Sequence, residues 1–247
     1  MSATEAFFAS RSMQALEVLA FGPASATQVA NELQVHQRTA RRLLNRMVTD
    51  GWLTRREGPR PTYTPTLRIV ALAAQLAHRT PLVRHATEVA AELQASTGDS
   101  VHLAVPSYRS ALRLVRVTGE RCEAPALRDL APANATAGGK LLLAYREPWR
   151  DVVLASPLAA VTERTLAEPR ALRAELERAR ERGYATEDGE YRRGVRALAL
   201  PVRAGDDEVV AALAVSSSDS MESLLERADR VGAAAEELSE RLQREAA

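Results

Sequence analysis

Read for the alternation of apolar and polar positions, the chain falls into helical and strand-like stretches in a definite order. From Arg11 to Phe21 apolar residues recur at Met13, Leu16, Leu19 and Ala20, a helical spacing that Gly22-Pro23 closes. The stretch SATQVANEL starts with Ser25 and Gln28 placed as a capping box, in which the serine hydroxyl bonds the amide three residues on while the glutamine reaches back. Val29, Ala30 and Leu33 continue the buried side of that helix, and a turn through Gln34, Val35 and His36 leads to another. On this next helix Ala40, Leu43, Leu44, Met47 and Val48 share one face, while Arg38, Arg42, Asn45 and Thr49 lie opposite, flanked by Arg41 and Arg46.

Gly51 can close that helix in the left-handed conformation. WLTRRE, a GPRP turn and TYT then predict a short hairpin carrying Arg55, Arg56 and Arg60, with Trp52 packed between helix and hairpin. LRIVALAAQLAHR has helical periodicity and stops at Thr80-Pro81, where the residue before proline disfavours helix. Beyond it, VHLAVPS (101–107) and ALRLVRVTG (111–119) alternate as strands able to pair as a hairpin. On the second strand Arg113 and Arg116, at odd spacing, are predicted to point to opposite faces. EPRALRAELERARERG (168–183) has Pro169 near its start and Gly183 at its end, the usual helix asymmetry. VRALALPV and VVAALAVS predict two more strands around a turn at Gly205, and SMESLLERADRVGAAAEELSERL predicts one long amphipathic helix. Strands with intervening and flanking helices make the second part α+β. The expected organisation is a small domain over residues 1–66, a connecting helix over 67–80 and a larger domain over 81–247.

Composition changes this picture in two places. The net charge of the 247 residues is only +1, so affinity for a polyanion would have to come from clustering. The cluster exists: between His36 and Arg68 the eight arginines 38, 41, 42, 46, 55, 56, 60 and 68 face only Asp50 and Glu57, a local excess of six. Lys140 is the sole lysine, and arginine supplies the other 32 basic residues, which with the abundant alanine reads as genomic bias. The single cysteine, Cys122, excludes an intramolecular disulfide and a cysteine-built metal cluster. No run of 18 apolar residues predicts a membrane span, and the N-terminus lacks a basic region ahead of an apolar core. A cytoplasmic protein is expected.

A capped helix, a short turn and a helix with a basic outer face form the helix-turn-helix order, in which the last helix enters the major groove. Arginine matches guanine O6 and N7, and asparagine or glutamine matches adenine. Gln37, Arg38, Thr39, Arg41, Arg42 and Asn45 are therefore the candidates for the groove. Arg55, Arg56 and Arg60 on the hairpin are candidates for a wing that touches phosphate. Catalytic signatures are missing: there is no G-x-S-x-G, H-E-x-x-H or P-loop, and the histidines 36, 78, 85 and 102 show no ligand spacing. Neither a cofactor nor a metal nor an enzymatic activity is expected. A DNA-binding regulator with no ligand, one with a thiol switch at Cys122, beside Arg121, and a partner-binding protein without DNA remain as alternative readings.

With these residues in view, the chain resembles the IclR family of bacterial transcriptional regulators. The resemblance begins at SRSMQALEVLA and runs through the basic helix and hairpin. It continues in ANATAGGKLLLA (133–144), RERGYATEDGEYRRGVRALALPV (180–202) and AALAVSSSDS (211–220). It covers about residues 10–243. It implies a winged helix-turn-helix, a linker helix and a GAF-like domain that binds a small-molecule effector. It also implies homodimers or dimers of dimers on partly palindromic double-stranded DNA operators. Carried over by position, the effector site should include Thr136, Ala137 and Gly138, the acid Glu187, Ala197 on the next strand, and Ala214 and Ser216 on the last. This chain departs from the commoner pattern: Glu187 stands where aspartate is frequent, Ala197 where some members have cysteine, and Ala214 where serine is frequent. The loss of two polar groups predicts a more apolar pocket suited to a larger or aromatic ligand. Lys140, after two glycines, leaves two readings open, an anion site at a helix start or a surface lysine.

Overall fold

A computed structural model describes residues 3–119, 121–123 and 129–246, and the chain divides into two compact units, Met1–Arg79 and Thr80–Ala247. Among the described residues no helix is long and apolar enough to cross a membrane.

The first unit contains α1 (Ala3–Leu19), β1 (Ala24–Ser25), α2 (Ala26–Glu32), α3 (Gln37–Thr49), β2 (Leu53–Arg56), β3 (Thr62–Pro65) and α4 (Arg68–Arg79). The capping box is present, with the Gln28 amide donating to Ser25 Oγ at 3.4 Å and the Ser25 amide to Gln28 Oε1 at 2.9 Å. Gln34 supports the turn between α2 and α3 at φ +52°, and Gly51 ends α3 at φ +77°. His36 caps α3, its Nδ1 accepting from the Arg38 amide at 3.2 Å. Leu19, Val29, Leu33, Leu43, Leu44, Met47, Leu53 and Tyr63 make one core. Each such side chain, fully buried, contributes roughly 1.5–3 kcal/mol. Strands β2 and β3 pair antiparallel and β1 adds to the other edge of β3, so the hairpin is a wing anchored on the helices. Trp52 packs partly buried against this core, with the Arg68 guanidinium 4.4 Å from its ring centroid. Helix α4 buries no residue, and Leu67 just before it is 82% exposed.

The second unit begins with α5 (Pro81–Thr97), β4 (Ser100–Ser107), β5 (Ser110–Thr118), β6 (Arg121–Glu123) and β7 (Leu130–Pro132). It continues through α6 (Ala137–Tyr145), α7 (Glu147–Leu154), α8 (Pro169–Arg182), β8 (Ala185–Asp188), β9 (Arg196–Ala204), β10 (Glu208–Ser217), α9 (Met221–Leu225) and α10 (Ala228–Ala246). The sheet is antiparallel in the order β6-β5-β4-β10-β9-β8, with β7 also paired to β5. Its two faces carry different side chains. One presents Val101, Leu103, Val115, Val117, Leu198, Leu213 and Val215 to the core shared with α5 and α10. The other presents Ala104, Ala197, Ala199, Ala212 and Ala214 to a second core that includes Leu141, Leu142, Leu143, Leu172 and Leu176. Alanine on this face lets α6 lie close: a Cβ on Gly138 would stand 3.0 Å from the Ala104 Cβ and 3.7 Å from that of Ala212. A Cβ on Gly139 would collide with the Ala133 carbonyl oxygen at 2.3 Å. The glycine pair thus has a packing reason of its own.

The structure breaks the expected final helix in two. Between α9 and α10, Arg227 turns toward the sheet end, where its guanidinium meets Asp99 at 2.9 Å and Asp219 at 2.7 Å. An uninterrupted apolar stripe hid that break, because the periodicity carries no trace of an ion pair with a residue 128 positions earlier, Asp99.

Candidate nucleic-acid interface and ligand cavity

On α3 the apolar residues Ala40, Leu43, Leu44 and Met47 are buried, and Arg38, Arg41, Arg42, Asn45 and Arg46 are exposed, as the heptad-like spacing requires. Thr39 is half-buried. Gln37 is exposed and donates from Nε2 to Thr27 Oγ1 at 2.6 Å, which ties the start of α3 to α2. Asn45 is also engaged: its Oδ1 accepts from the Tyr63 hydroxyl at 2.9 Å and so links α3 to the wing. Arg46 pairs with Asp50 at 3.1 Å and Arg55 with Glu57 at 3.2 Å, both in solvent. A groove of about 770 Å³ runs between the start of α3 and the wing, and Gln37, Arg41, Arg55 and Arg60 all line it. Arg56 is exposed on the edge strand β2. Among the described residues Arg38, Arg41, Arg56 and Arg60 form no ion pair.

A different kind of concavity, of about 630 Å³, lies on the alanine-bearing face of the larger sheet. Its floor is a row across four strands: Glu187 opposite Ala197, Ala197 opposite Ser216, Ser216 opposite Ser100. The next residues along β4 and β5 bring His102 opposite Arg116. The ladder then slips, pairing Leu103 with Val115 but Ala104 with Arg113, so Leu114 is the extra residue of a β-bulge. The bulge overturns the expectation that Arg113 and Arg116 face apart. Both line the cavity, together with His102, Glu187 and Tyr191. The lining mixes guanidinium, imidazole, carboxyl and hydroxyl groups with Val161, Val195 and Ala197, while Ala214 lies outside it.

The charges here are shaped by burial. His102 is held neutral, its pKa depressed to about 3, first by desolvation and then by Arg113 and Arg116. Its Nδ1 is buried and has no hydrogen-bond partner among the described residues. Glu187, 4% exposed, is pushed up to about 7 by burial, against the pull of the Tyr191 amide, which donates to its Oε1 at 3.0 Å. The Ala137 amide and Lys140 draw it the same way as Tyr191. Arg113 stands 5.0 Å from the Tyr191 ring centroid, and Arg116 lies 3.7 Å from the buried Asp129.

Of the residues expected at the effector site, the cavity lining brings together Glu187, Ala197 and Ser216. Thr136, Ala137, Gly138 and Ala214 are buried outside that lining. Thr136 caps α6 by accepting from the Gly139 amide at 3.1 Å, and Ala214 packs with the alanine core. Lys140 is neither a surface lysine nor an open anion site. It is 1% exposed and donates to Glu190 Oε1 at 2.6 Å. Burial raises the Glu190 carboxyl while Lys140 opposes that rise, and among the described residues the buried Glu190 Oε2 has no hydrogen-bond partner. The spacing missed His102, Arg113, Arg116 and Tyr191 as a group, because the bulge that gathers them leaves no periodic mark. Cys122 is exposed on β6, in register with Val117, and is not among the residues that line the cavity.

Residues 74–244 match the family described as Bacterial transcriptional regulator IclR C-terminal. The HTH-type transcriptional regulator KdgR of Escherichia coli (strain K12) is 28% identical over 203 residues, covering 77% of this chain and 73% of that protein. The probable transcriptional regulator SauR of Cupriavidus necator is 29% identical over 213 residues, 83% of each chain. Among solved structures, a putative IclR transcriptional regulator from Silicibacter sp. TM1040 superposes with a TM-score of 0.80 at 26% identity, covering 95% of this chain and 96% of that one. An IclR homolog from Microbacterium hydrocarbonoxydans complexed with 4-hydroxybenzoate superposes with a TM-score of 0.72 at 25% identity, over 92% of this chain and 99% of that chain.

Proposed function

Since the chain belongs to the IclR family of bacterial transcriptional regulators, we propose that α3 reads operator bases and that the β2-β3 wing holds the adjoining backbone. IclR-family regulators bind DNA operators and small-molecule effectors, the latter through the C-terminal domain, and this chain is a regulator of that kind rather than an enzyme. Four exposed arginines that form no ion pair among the described residues, Arg38 and Arg41 on α3 and Arg56 and Arg60 on the wing, are the observation that carries the DNA assignment. An arginine already paired with a carboxylate would have to give up that partner to meet phosphate, and these do not. Arg38, Arg42 and Thr39 face the bases, with Arg41 at the groove edge. Arg55, Arg56 and Arg60 meet phosphate or the minor groove. Gln37 and Asn45 act at the same surface by fixing α3 against α2 and against the wing, through Thr27 and Tyr63.

Residues 67–80 serve as a linker helix. Its exposed apolar residues, Val70 and Leu72 among them, support a role in holding two cytoplasmic copies together. A homodimer, or a dimer of dimers, would then address a partly palindromic operator whose half-sites repeat about every 34 Å of helix axis. The effector occupies the cavity floored by Glu187, Ala197 and Ser216, with Thr136, Ala137, Gly138 and Ala214 shaping it from behind. The 4-hydroxybenzoate in the Microbacterium hydrocarbonoxydans homolog supports a small organic molecule in this domain. Its binding changes operator affinity through a coupling of about 1–3 kcal/mol.

Selection of the purified protein on random duplexes, sequenced after enrichment and repeated at two salt concentrations, tests the reading. A partial palindrome is expected, with log K falling against log salt at a slope near −5 if about six phosphates are neutralised. Salt-insensitive behaviour with no enriched sequence would overturn it.

A further inference from the structure

Helix α4 leaves the wing with little packing to direct it, since none of its residues is buried. Its start is tied to the rest of the first unit by polar contacts around the end of α3. Thr66, just ahead of α4, donates its amide to the Trp52 carbonyl at 2.9 Å and its hydroxyl to the Gly51 carbonyl at 2.9 Å. The Thr66 carbonyl then accepts the Ile69 amide at 3.2 Å and opens the helix. Arg68, the first residue of α4, reaches back across the same corner. Its Nη1 donates to the Asp50 carbonyl at 2.8 Å, and its guanidinium carbon stands 4.4 Å from the Trp52 ring centroid.

Asp50 is the C-cap of α3, where carbonyls without an intrahelical partner and the helix dipole favour a cation. Its carboxylate takes Arg46 at 3.1 Å, so one residue engages an arginine from each of two helices. Trp52 is itself held, its amide donating to the Met47 carbonyl at 2.9 Å and its ring packed against the core of the first unit. The corner is tight enough to need glycine: on Gly51, at φ +77°, a Cβ would stand 2.9 Å from Arg68 Nη1. A guanidinium is flat, so a bond from its edge together with stacking on its face fixes both its position and its plane. An ammonium in the same place could keep the bond to the carbonyl but would leave the plane unset. Arg68 thus joins two elements of the first unit, and its charge meets a helix end and an indole ring.

We propose that Arg68 is a positioning residue for operator binding: pinned on Asp50 and Trp52, it sets the angle at which α4 leaves α3, and so the spacing at which two copies meet their half-sites. The proposal rests on reading α3 as the operator-binding helix and α4 as the element that joins two copies, and it adds the residue that sets their separation. The 12 residues of α4 extend about 18 Å at roughly 1.5 Å per residue. A modest change of angle at its start therefore moves its far end by about one base-pair step, roughly 3.4 Å. Arg68 touches no base in this role, and α3 reads the same half-site whether or not the pin is present.

The test repeats the random-duplex selection with the full chain, unsubstituted and as Arg68→Ala and Arg68→Lys. Fluorescence anisotropy then gives affinities for the selected operator, for its single half-site, and for operators with one base pair added or removed between the half-sites. The unsubstituted protein should favour one spacer, a changed spacer weakening binding about tenfold or more because both half-sites can no longer be engaged at once. Arg68→Ala should select the same half-site sequence with a broader set of spacers, and the penalty for a changed spacer should fall to about threefold or less. Its affinity for the single half-site should be unchanged. Arg68→Lys should fall between the two, and it preserves the test if the alanine variant does not fold by circular dichroism. Hydrogen exchange gives an independent measure: amides in the first turns of α4 should exchange faster in Arg68→Ala while α3 keeps its protection. An unchanged spacer penalty in the folded variants, or equal exchange of α4, would overturn the proposal. So would an equal loss on operator and half-site with a salt slope lower by about one, which would make Arg68 a phosphate contact. A palindrome selected by the unsubstituted protein with no change of spacing in the variants removes only the role of Arg68. No enriched sequence for the unsubstituted protein removes the operator reading, and the proposal with it.

Discussion

The two units of this chain use arginine in opposite ways. In the first, Arg38, Arg41, Arg56 and Arg60 stand exposed on α3, on the edge strand β2 and in the turn of the wing, and the carboxylates nearby are few. Their hydration is intact and their energy is available for a polyanion brought from outside. In the second, cations are drawn inward: Lys140 is sealed against Glu190, Arg227 closes on Asp99, and Arg113 and Arg116 look into a cavity. A desolvated charge must be matched by something specific, because the low local dielectric magnifies both a good partner and a missing one. The same residue type thus gives long-range, salt-sensitive attraction in one unit and short-range selection in the other.

Breaking the buried pair should give the largest effect. Lys140→Met leaves Glu190 charged and buried without its partner, and should cost about 3–5 kcal/mol in urea unfolding of the second unit. Lys140→Met combined with Glu190→Leu should recover much of that loss, since neither ion is then stranded; equal instability of single and double variants would contradict the account. Next comes Glu187, whose carboxyl holds its proton up to about 7 in the folded chain and ionises from its ordinary 4.5 when unfolded. Its contribution to stability is full below the lower value, drains as pH rises to about 7, and stays constant above. Against Glu187→Gln, the unsubstituted protein should lose up to about 3 kcal/mol between pH 5 and pH 8. Parallel urea midpoints for the two proteins across that range would show that Glu187 is not desolvated.

The exposed arginines should act on binding rather than on folding. Arg38→Ala should cost about 1–3 kcal/mol of operator affinity and relax the preference at one base position, read by repeating the duplex selection with the variant. Arg56→Ala should weaken all duplexes nearly alike and lower the salt slope by about one, whereas a loss confined to one base would make it a reader instead of a phosphate contact. Arg46→Ala sharpens the contrast from the other end. Its pair with Asp50 is a solvent-exposed i,i+4 bridge, and removing it should change stability by less than about 0.5 kcal/mol in thermal unfolding. A larger change would mean that exposed pairs here do more than the comparison allows.

Local chemistry made much of this legible in advance. The capping box at Ser25, the apolar face of α3, the helix stops at Gly51 and Gly183, and the Arg55–Arg60 hairpin all depend on neighbours within a few residues. Side-chain type and spacing are enough to specify such features, because the interacting groups are fixed together by one turn of helix or one reversal of chain. The family resemblance carried Glu187, Ala197 and Ser216 to the same concavity, although nothing in their spacing placed them there.

What the tertiary structure alone decided depends on residues far apart in the chain. The bulge at Leu114 rotates Arg113 onto the face of Arg116, and only the register of β4 against β5 determines where that extra residue falls. Lys140 is buried because Glu190, fifty positions later, arrives over α6 to receive it. The final helix breaks because Arg227 reaches Asp99 across the domain. Periodicity records which face of an element is apolar, and so the capping box at Ser25, the apolar and basic faces of α3 and the strands of the second unit's hairpins were legible in the sequence. Partnership between charges is a property of three-dimensional proximity and burial, and so the cavity and its polarity belong to the fold.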